Sequence, residues 1–409
     1  MKALLFITTG ILFFYLGQAQ RVCGTEAYLK SLPVSVGTSP QGPLGPVRDT
    51  VPNEVLVIPV VVHVLYNANA QNISDAQILS QLKVLNQDFR RLNSDTSNTP
   101  AVFKSLAADA GITFCLAQVD PNGRTTKGII RKRTTRDFFL ADDEMKFSNK
   151  GGDNAWDASK YMNIWICSML GRNLGYATLP GGAQDKDGIV INYDVFGTTG
   201  IIRAPFNKGR TTTHEVAHWL GLKHIWGEND CGSDDVDDTP KQESYNYYCP
   251  GFPHRSSCSP NANGDMFMNF MDFTDDACMN VFTIGQKNKM RGLFALNKGR
   301  NSFLNSFACD SSLASGGPLP YITPIEKPEI SITIFPNPAI DIVQFLVNEN
   351  YSLKGWNAVL VNAQGVRQYQ QILQSSKDVL QIKHLPAGIY FLSLSDSETK
   401  KSFRLLKVY

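Results

Sequence analysis

The chain has 409 residues, of which 43% are hydrophobic and 19% are charged, a composition typical of a globular protein with room for two or three domains. Its 39 basic and 37 acidic residues leave a formal net charge of +2, with no long run of either sign. This balance excludes the strongly basic surfaces that bind nucleic acid or anionic membranes, so we predict neither partner.

The chain begins with a segment typical of secreted proteins. Lys2 precedes an apolar run that ends at Leu16, and the small residues Gly17 and Ala19 follow at a plausible cleavage point. The alternative is a membrane anchor, but about 14 apolar residues fall short of the roughly 20 that span a bilayer. We therefore predict that residues 1–19 are a signal peptide and that the chain has no transmembrane span.

Residues 20–52 are rich in Pro, Gly, Ser and Thr and show no sustained periodicity, so we interpret them as a propeptide. A folded domain is predicted over residues 53–309. It opens with VLVIPVVVHVLY, an apolar and β-branched run typical of a strand buried on both faces. A helix is predicted next, because Ser74 and Asp75 can cap it and apolar residues follow at near-helical spacing.

The rest of this domain alternates between strand-like and helix-like patterns. Apolar runs in GITFCLAQVD, YMNIWICSML and DGIVINYDVFG predict strands, and TTTHEVAHWLGLKH has helical spacing. This order predicts a mixed α and β domain. Residues 181–197 are either the edge strand of its sheet, along which a peptide binds by strand addition, or a strand buried within the sheet.

The C-terminal part has a different pattern. Ser, Gly and Pro are concentrated in residues 310–330, which we predict to be a linker. In residues 331–409, short alternating runs are separated by turn residues, as in a small antiparallel β-sandwich.

The segment HEVAHWLGLKH has the spacing of a metal site. On a helix, His214 and His218 project from the same face one turn apart, which suits two imidazole ligands of one zinc ion. Gly221 allows the chain to turn sharply, so that His224 can return as a third ligand. Glu215 lies beside the first ligand and can reach a zinc-bound water without entering the coordination shell.

This arrangement predicts a hydrolase. Three neutral imidazoles leave a fourth coordination position for water, and zinc lowers the pKa of that water toward about 7. Glu215 is the candidate general base, which accepts the proton as the water attacks a polarised carbonyl and later returns it to the leaving amine.

The longer segment HEVAHWLGLKHIW, together with LGYATLPG, INYDVFG and NFMDFTDDACMNVFTIGQ, resembles the metzincin zinc peptidases, in particular their pappalysin-like (cytophagalysin) family. The resemblance covers roughly residues 54 to 309. It implies an α+β catalytic domain with a twisted mixed sheet plus an active-site helix, zinc as cofactor, and protein or peptide substrates. It also implies a Met-turn at Met271. Many relatives have a tyrosine where Phe273 stands, so a hydroxyl that could stabilise the transition state is missing here.

Eight cysteines in a chain that leaves the cytoplasm predict disulfides. Cys231, Cys249, Cys258 and Cys278 follow the motif closely and contain no Cys-x-x-Cys pair, which argues against a structural zinc site. Spacing leaves three connectivities open for these four. The family resemblance implies the pairs Cys231–Cys258 and Cys249–Cys278.

The loop CGSDDVDDTP is rich in oxygen ligands, and the resemblance adds calcium as a second cofactor. The alternative is a solvated acidic loop. The candidate calcium ligands are Asp235, Val236, Asp238 and Thr239.

Cys23 lies in the predicted propeptide. Because a thiolate is a strong zinc ligand, it could fill the open fourth position and keep the enzyme latent as a zymogen. The alternatives are an unrelated disulfide or a free thiol.

The motifs IFPNP, LPAGIYFL and the closing KSFRLLKVY resemble the C-terminal sorting domain of type IX secretion cargo, which implies that machinery as a partner and a secreted or cell-surface location. The alternative for this domain is a carbohydrate-binding or adhesive sandwich. For the whole chain we predict a secreted zinc endopeptidase. The alternative is a weakly active or inactive zinc-containing surface protein that binds glycan or matrix.

Overall fold

The computed structural model of the protein forms two units, residues 1–325 and 326–409. The predicted signal peptide, most of the predicted linker and residues 33–52 of the predicted propeptide lie outside the described residues. None of the described helices combines the length and the apolar composition of a membrane-spanning segment. The residues that the structure describes are 20–32, 54–259, 263–295, 298–310, 312, 331–347, 352–396 and 400–409.

The first unit is built on a mixed β-sheet with the strand order β2-β1-β4-β6-β5, and β3 pairs with the far end of β1. All of these pairings are parallel except that between β5 and β6. The strands are β1 (Leu56–Tyr66), β2 (Ile112–Leu116), β3 (Ile129–Arg133), β4 (Met162–Cys167), β5 (Gly175–Ala177) and β6 (Gly188–Asn192). The helices are α1 (Thr25–Ser31), α2 (Asp75–Phe89), α3 (Arg210–Trp219) and α4 (Ile284–Gly292).

The sequence patterns explain these elements. Consecutive residues of β1 from Ile58 to Leu65 are buried, as expected for a strand covered on both faces. Ser74 caps α2, since its Oγ accepts a hydrogen bond from the backbone N–H of Gln77 at 3.1 Å. The apolar residues of α2 then face the main core, which also contains residues of α3. The structure therefore confirms the predicted mixed sheet and site-bearing helix.

One alternative from the sequence is wrong. Residues 181–197 contain β6, which lies between β4 and β5 and is fully buried. The edge strand at this end of the sheet is β5, a strand of three residues. Its shortness and its glycine make it a weak signal in a single sequence.

The second unit consists of two antiparallel sheets that share one cluster of buried apolar residues. One sheet has the strand order β10-β9-β12-β13, and the other has the order β11-β8-β7. The strands are β7 (Ile332–Phe335), β8 (Ile342–Val347), β9 (Asn357–Asn362), β10 (Arg367–Ile372), β11 (Leu380–Gln381), β12 (Gly388–Ser395) and β13 (Lys400–Lys407).

Three disulfides join distant parts of the first unit. Cys231 is bonded to Cys258 and Cys249 to Cys278, and a third bond joins Cys115 in β2 to Cys309. The third bond joins cysteines 194 positions apart, a pairing that no sequence pattern predicted. The two cysteines without a disulfide are Cys23 and Cys167.

Two of the leucines of α2, one buried and one exposed, provide a test of the core. Leu85 is 0% exposed and Leu79 is 42% exposed. Leu85→Ala should lower the free energy of unfolding by about 2–5 kcal/mol, because it leaves a cavity in the core. Leu79→Ala should change it by no more than about 0.5 kcal/mol. Urea denaturation measures both values, and equal effects would contradict the packing of α2 described here.

Candidate metal centre

Helix α3 and the turn that follows it position three histidines. His214 and His218 lie one turn apart on α3. Gly221 then adopts a φ of 82°, a left-handed conformation that suits glycine, and its N–H donates to the carbonyl of His218 at 2.8 Å. This turn reverses the chain and brings His224 to the other two imidazoles.

The three imidazoles face one another through their Nε2 atoms. The Nε2 of His218 lies 3.1 Å from that of His214 and 3.0 Å from that of His224. Each Nδ1 is held from behind: by the carbonyl of Phe270 for His214, by the carbonyl of Leu222 for His218, and by the carboxylate of Glu228 for His224.

These outer contacts fix the tautomers. A carbonyl oxygen only accepts, so Nδ1 of His214 and of His218 must donate, which leaves the Nε2 lone pairs free. Burial lowers the pKa of His218 and His224 to about 3 and holds the pKa of His214 well below its usual value. Three buried lone pairs at this separation repel one another unless a cation lies between them. The donor set therefore fits a divalent metal ion.

Glu215 lies between this centre and the edge of the sheet. A Cβ atom on Gly175 of β5 would come within 3.1 Å of the Cγ of Glu215, so glycine is required for the close approach. Burial raises the pKa of Glu215 to about 7. Its Oε2 accepts a hydrogen bond from the hydroxyl of Thr25 at 3.0 Å and lies 3.5 Å from the Sγ of Cys23.

Residues 22–24, which precede α1, pair with the backbone at the start of β5. The N–H of Leu174 donates to the carbonyl of Val22, and the N–H of Gly24 donates to the carbonyl of Gly175. The bridge between Cys23 and Gly175 is parallel. This placement brings the Cys23 Sγ within 4.8 Å of a ligand atom of each of the three histidines. Burial first, and then the charge of Glu215, raise the pKa of the Cys23 thiol well above its usual value.

Arg21 fills a deep pocket beside α3. Its side chain is 1% exposed and forms an ion pair with Asp276. It also donates to the hydroxyl of Thr211 at 3.0 Å and to the carbonyl of Thr274 at 3.1 Å, and its guanidinium lies over the ring of Phe206. The other oxygen of Asp276 accepts the N–H groups that begin α3.

The floor of the site contains the predicted Met-turn residue. Met271 is fully buried, and its carbonyl accepts the N–H of Ile225 at 3.2 Å. The ring of Phe273 lies 4.9 Å from that of His224, and the ring of Tyr245 stacks on Phe273 at 5.4 Å. Phe273 and Tyr245 line the same cavity as Cys23 and His224.

The candidate calcium loop is engaged with protein groups. Asp235 forms an ion pair with Lys223 at 2.7 Å. Asp238 accepts hydrogen bonds from the hydroxyl of Thr283 and the N–H of Gly285, at the start of α4. The hydroxyl of Thr239 donates to Asp234, outside the predicted ligand set. Calcium at this loop remains a prediction.

The sequence patterns do not predict the roles of Arg21, Thr25, Tyr245 and Glu228. Only Glu228 carries a local signal, because it follows His224 by four residues in an otherwise apolar segment. The other contacts join residues up to 255 positions apart.

Comparisons with known proteins agree with this site. Residues 147–295 match the sequence family described as pregnancy-associated plasma protein-A, a peptidase family, and residues 333–407 match the secretion system C-terminal sorting domain. An extracellular metalloprotease of Pyricularia oryzae is 34% identical over 250 residues, which are 59% of this chain and 75% of that protein. One from Arthroderma gypseum is 28% identical over 69% of this chain and 86% of that protein.

Solved structures of a bacterial peptidase are also similar. Mature mirolysin of Tannerella forsythia, in complex with a cleaved peptide, is 52% identical, with a TM-score of 0.61 over 62% of this chain and 96% of that one. A promirolysin mutant from the same organism is 51% identical, with a TM-score of 0.61 over 62% of this chain and 85% of that one.

The histidine centre, the buried glutamate and the sheet edge define a metalloprotease, and the relatives support this function over that of a binding protein. The chain belongs to the pregnancy-associated plasma protein-A family of peptidases, the pappalysin-like family that its motif resembles, and it ends in a type IX sorting domain.

The turn at Gly221 can be tested by adding one methyl group. Gly221→Ala places a Cβ in a left-handed conformation, 3.3 Å from Leu293, and should move His224. We expect the affinity for zinc, measured by competition with a chromophoric chelator, to fall at least tenfold, as when a supporting contact of a ligand is lost. Gly123→Ala is the control, because Gly123 has a φ of 75° with open space around it. Equal zinc affinity in both variants would contradict the role of the turn.

Proposed function

We propose that the protein is a secreted zinc endopeptidase, made as a latent precursor, in which His214, His218 and His224 hold the zinc ion and Glu215 is the general base. The observation that carries this proposal is the convergence of three Nε2 lone pairs beside a buried carboxylate, at a sheet edge that already binds a peptide segment. The metalloprotease relatives support it.

The chemistry that zinc supplies when bound is Lewis acidity, which lowers the pKa of a coordinated water and polarises the scissile carbonyl. Glu215 takes the proton of the attacking water and delivers it to the leaving amine. In the precursor, where the N-terminal segment covers the carboxyl group, burial raises the pKa of Glu215 to about 7. Release of Thr25 and Cys23 frees its oxygen for that proton.

The edge strand β5 positions the substrate backbone by strand addition. The N-terminal segment uses the same backbone groups, but it runs parallel to β5. A substrate that pairs antiparallel with β5 runs in the opposite direction. The segment therefore occupies the cleft with its peptide bonds reversed, which protects it from hydrolysis.

The precursor organisation follows the sequence prediction: signal peptide 1–19, propeptide 20–52, peptidase domain 53–309, linker 310–330 and sorting domain 331–409. The type IX secretion machinery exports the chain, and the sorting domain targets the chain to that machinery. We keep calcium at Asp235, Val236, Asp238 and Thr239 as part of the proposal; its support is the resemblance.

Glu215→Gln tests the base. Peptide hydrolysis by the processed enzyme should fall by roughly 10²–10⁴ in kcat, because the variant side chain cannot accept a proton. Bound zinc should stay at one ion per chain, measured by mass spectrometry, and a chelator should abolish the wild-type activity. Glu243→Gln, an exposed glutamate, is the control. Retained hydrolysis in Glu215→Gln would exclude the proposed role.

Cys23→Ala tests latency. Since the thiol lies at the histidine centre, its removal should raise the activity of the unprocessed full chain at least tenfold on a short fluorogenic peptide. Cys167→Ala removes the other free thiol, which is buried in β4, and should leave the precursor latent. If Cys23→Ala is as inactive as the wild-type precursor, Cys23 does not block the zinc.

The Arg21 pocket predicts a preference for a basic side chain in the substrate. Once Arg21 leaves, Asp276 is a buried carboxylate in need of a cationic partner. Asp276→Asn should lower kcat/KM for an arginine-containing peptide by roughly 10–100-fold, which corresponds to the loss of a charged hydrogen bond of about 1.5–3 kcal/mol.

A matched peptide with alanine in place of arginine distinguishes a loss of specificity from a loss of structure in Asp276→Asn. It should be affected far less by Asp276→Asn, and Asp275→Asn, at the half-buried neighbour, should affect neither peptide. An equal loss for both peptides in Asp276→Asn would show that Asp276 only supports the start of α3.

A further inference from the structure

Helix α1 crosses the edge strand and reaches the opposite face of the sheet. Before the helix, Cys23 contacts Glu215 on the face that packs against α3. Tyr28, on the helix, belongs instead to a separate cluster with Trp165 and Tyr176. Neighbouring side chains of a strand point to opposite faces, and Ala177 of β5 lies in the main core with α3. Tyr28 therefore lies outside the cleft.

Tyr28 fills a socket that matches its phenol. Its side chain is 3% exposed, and its hydroxyl donates to the Oδ2 of Asp143 at 2.7 Å. The ring lies 4.9 Å from the ring of Tyr176, and the Nζ of Lys146 lies 5.5 Å from the ring centroid. An aromatic wall, a cation against the ring and a carboxylate at the end thus surround it.

The walls of the socket are held by the catalytic domain itself. The Nζ of Lys146 donates to Thr178 at 3.0 Å and to the carbonyl of Lys186 at 2.7 Å, and it lies 2.8 Å from Asp143. The hydroxyl of Tyr176 donates to the other oxygen of Asp143, Oδ1, at 3.1 Å. None of these contacts involves residues 20–32, so the socket keeps its shape when the N-terminal segment leaves.

The empty socket would select one kind of side chain. Asp143 is buried, and once Tyr28 is gone its Oδ2 loses its shortest hydrogen bond and keeps the ammonium group of Lys186. A phenylalanine fills the space but donates nothing. An arginine or lysine meets two ammonium groups, since Lys186 also lies 3.3 Å from Oδ2 of Asp143. A neutral phenol packs against the ring of Tyr176 and donates a hydrogen bond to the carboxylate of Asp143.

We propose that this socket is an exosite of the processed enzyme that binds a tyrosine side chain of its polypeptide substrates. The proposal rests on the proposed peptidase function for the productive role of the contact. Tyr28 follows Cys23 in a segment that runs opposite to a substrate. The recognised tyrosine therefore lies on the N-terminal side of the scissile bond.

A peptide of residues 24–32, GTEAYLKSL, tests the socket directly. It lacks Arg21 and Cys23, so it occupies neither the Asp276 pocket nor the zinc. Fluorescence anisotropy should show binding of the labelled peptide to the processed full-chain enzyme. The Tyr28→Phe peptide should bind at least tenfold more weakly, and the Tyr28→Ala peptide should show no binding. The Lys30→Gln peptide, changed at an exposed position, should bind like the parent. Chelator treatment should leave these affinities unchanged.

Asp143→Asn changes the hydrogen-bond acceptor on the enzyme, whereas the peptide variants change the donor. The difference in affinity between the parent peptide and the Tyr28→Phe peptide should shrink to less than threefold, because the charged acceptor is gone. If this variant does not fold, the peptide series on the unmodified enzyme still decides. Equal binding of the parent and Tyr28→Phe peptides, or no binding by a preparation that cleaves a short peptide, overturns the exosite and leaves the peptidase proposal intact.

A pair of long substrates tests the productive role. They share one cleavage sequence and carry either tyrosine or phenylalanine on the N-terminal side. The tyrosine substrate should have a KM at least threefold lower, and Asp143→Asn should remove that advantage. Equal KM values over a series of tyrosine positions would refute an exosite for substrates. Peptide binding without any hydrolysis would instead refute the proposed peptidase function.

Discussion

The Nε2 atoms of three histidines converge because the Nδ1 atom of each imidazole is fixed by a hydrogen bond to an oxygen atom. The three holding groups come from separate segments: a carbonyl before Met271, the carbonyl of Leu222 after the Gly221 turn, and the carboxylate of Glu228. Burial then keeps the rings neutral, so their lone pairs remain available to a metal ion. The fold around α3 is arranged to satisfy these contacts together, and the cleft depends on them.

The edge strand β5 serves the precursor and the proposed enzyme in turn. Among the described residues, its backbone groups have no partner strand on the cleft side other than the N-terminal segment, which pairs with them in the parallel direction. The segment is anchored at three places, by Arg21 on Asp276, Cys23 at the histidines and Tyr28 on the far face. Under the proposed function, each of these anchors marks a pocket of the processed enzyme, so latency and specificity are properties of the same surface.

The charged groups of the site interact strongly with their neighbours because they are buried. Asp276 is buried, and it both receives the N–H groups at the start of α3 and forms the ion pair with Arg21. Its charge therefore links the position of the metal-binding helix to the occupant of the neighbouring pocket. Glu215 is buried beside Gly175, and this environment raises its pKa while the segment is bound.

The sequence by itself determined the local chemistry: the helix that carries His214 and His218, the turn after it, the cap of α2 and the class of the two folded parts. Each of these features depends on residues that lie close together in the sequence or on a regular local pattern, so a single sequence encodes them. Only the tertiary structure decided which strand forms the edge, that Asp276 rather than Asp275 receives Arg21, and that Tyr28 reaches the outer face. The contacts of Arg21 with Asp276 and of Tyr28 with Asp143 join residues 255 and 115 positions apart, and only the packing of the whole sheet brings them together.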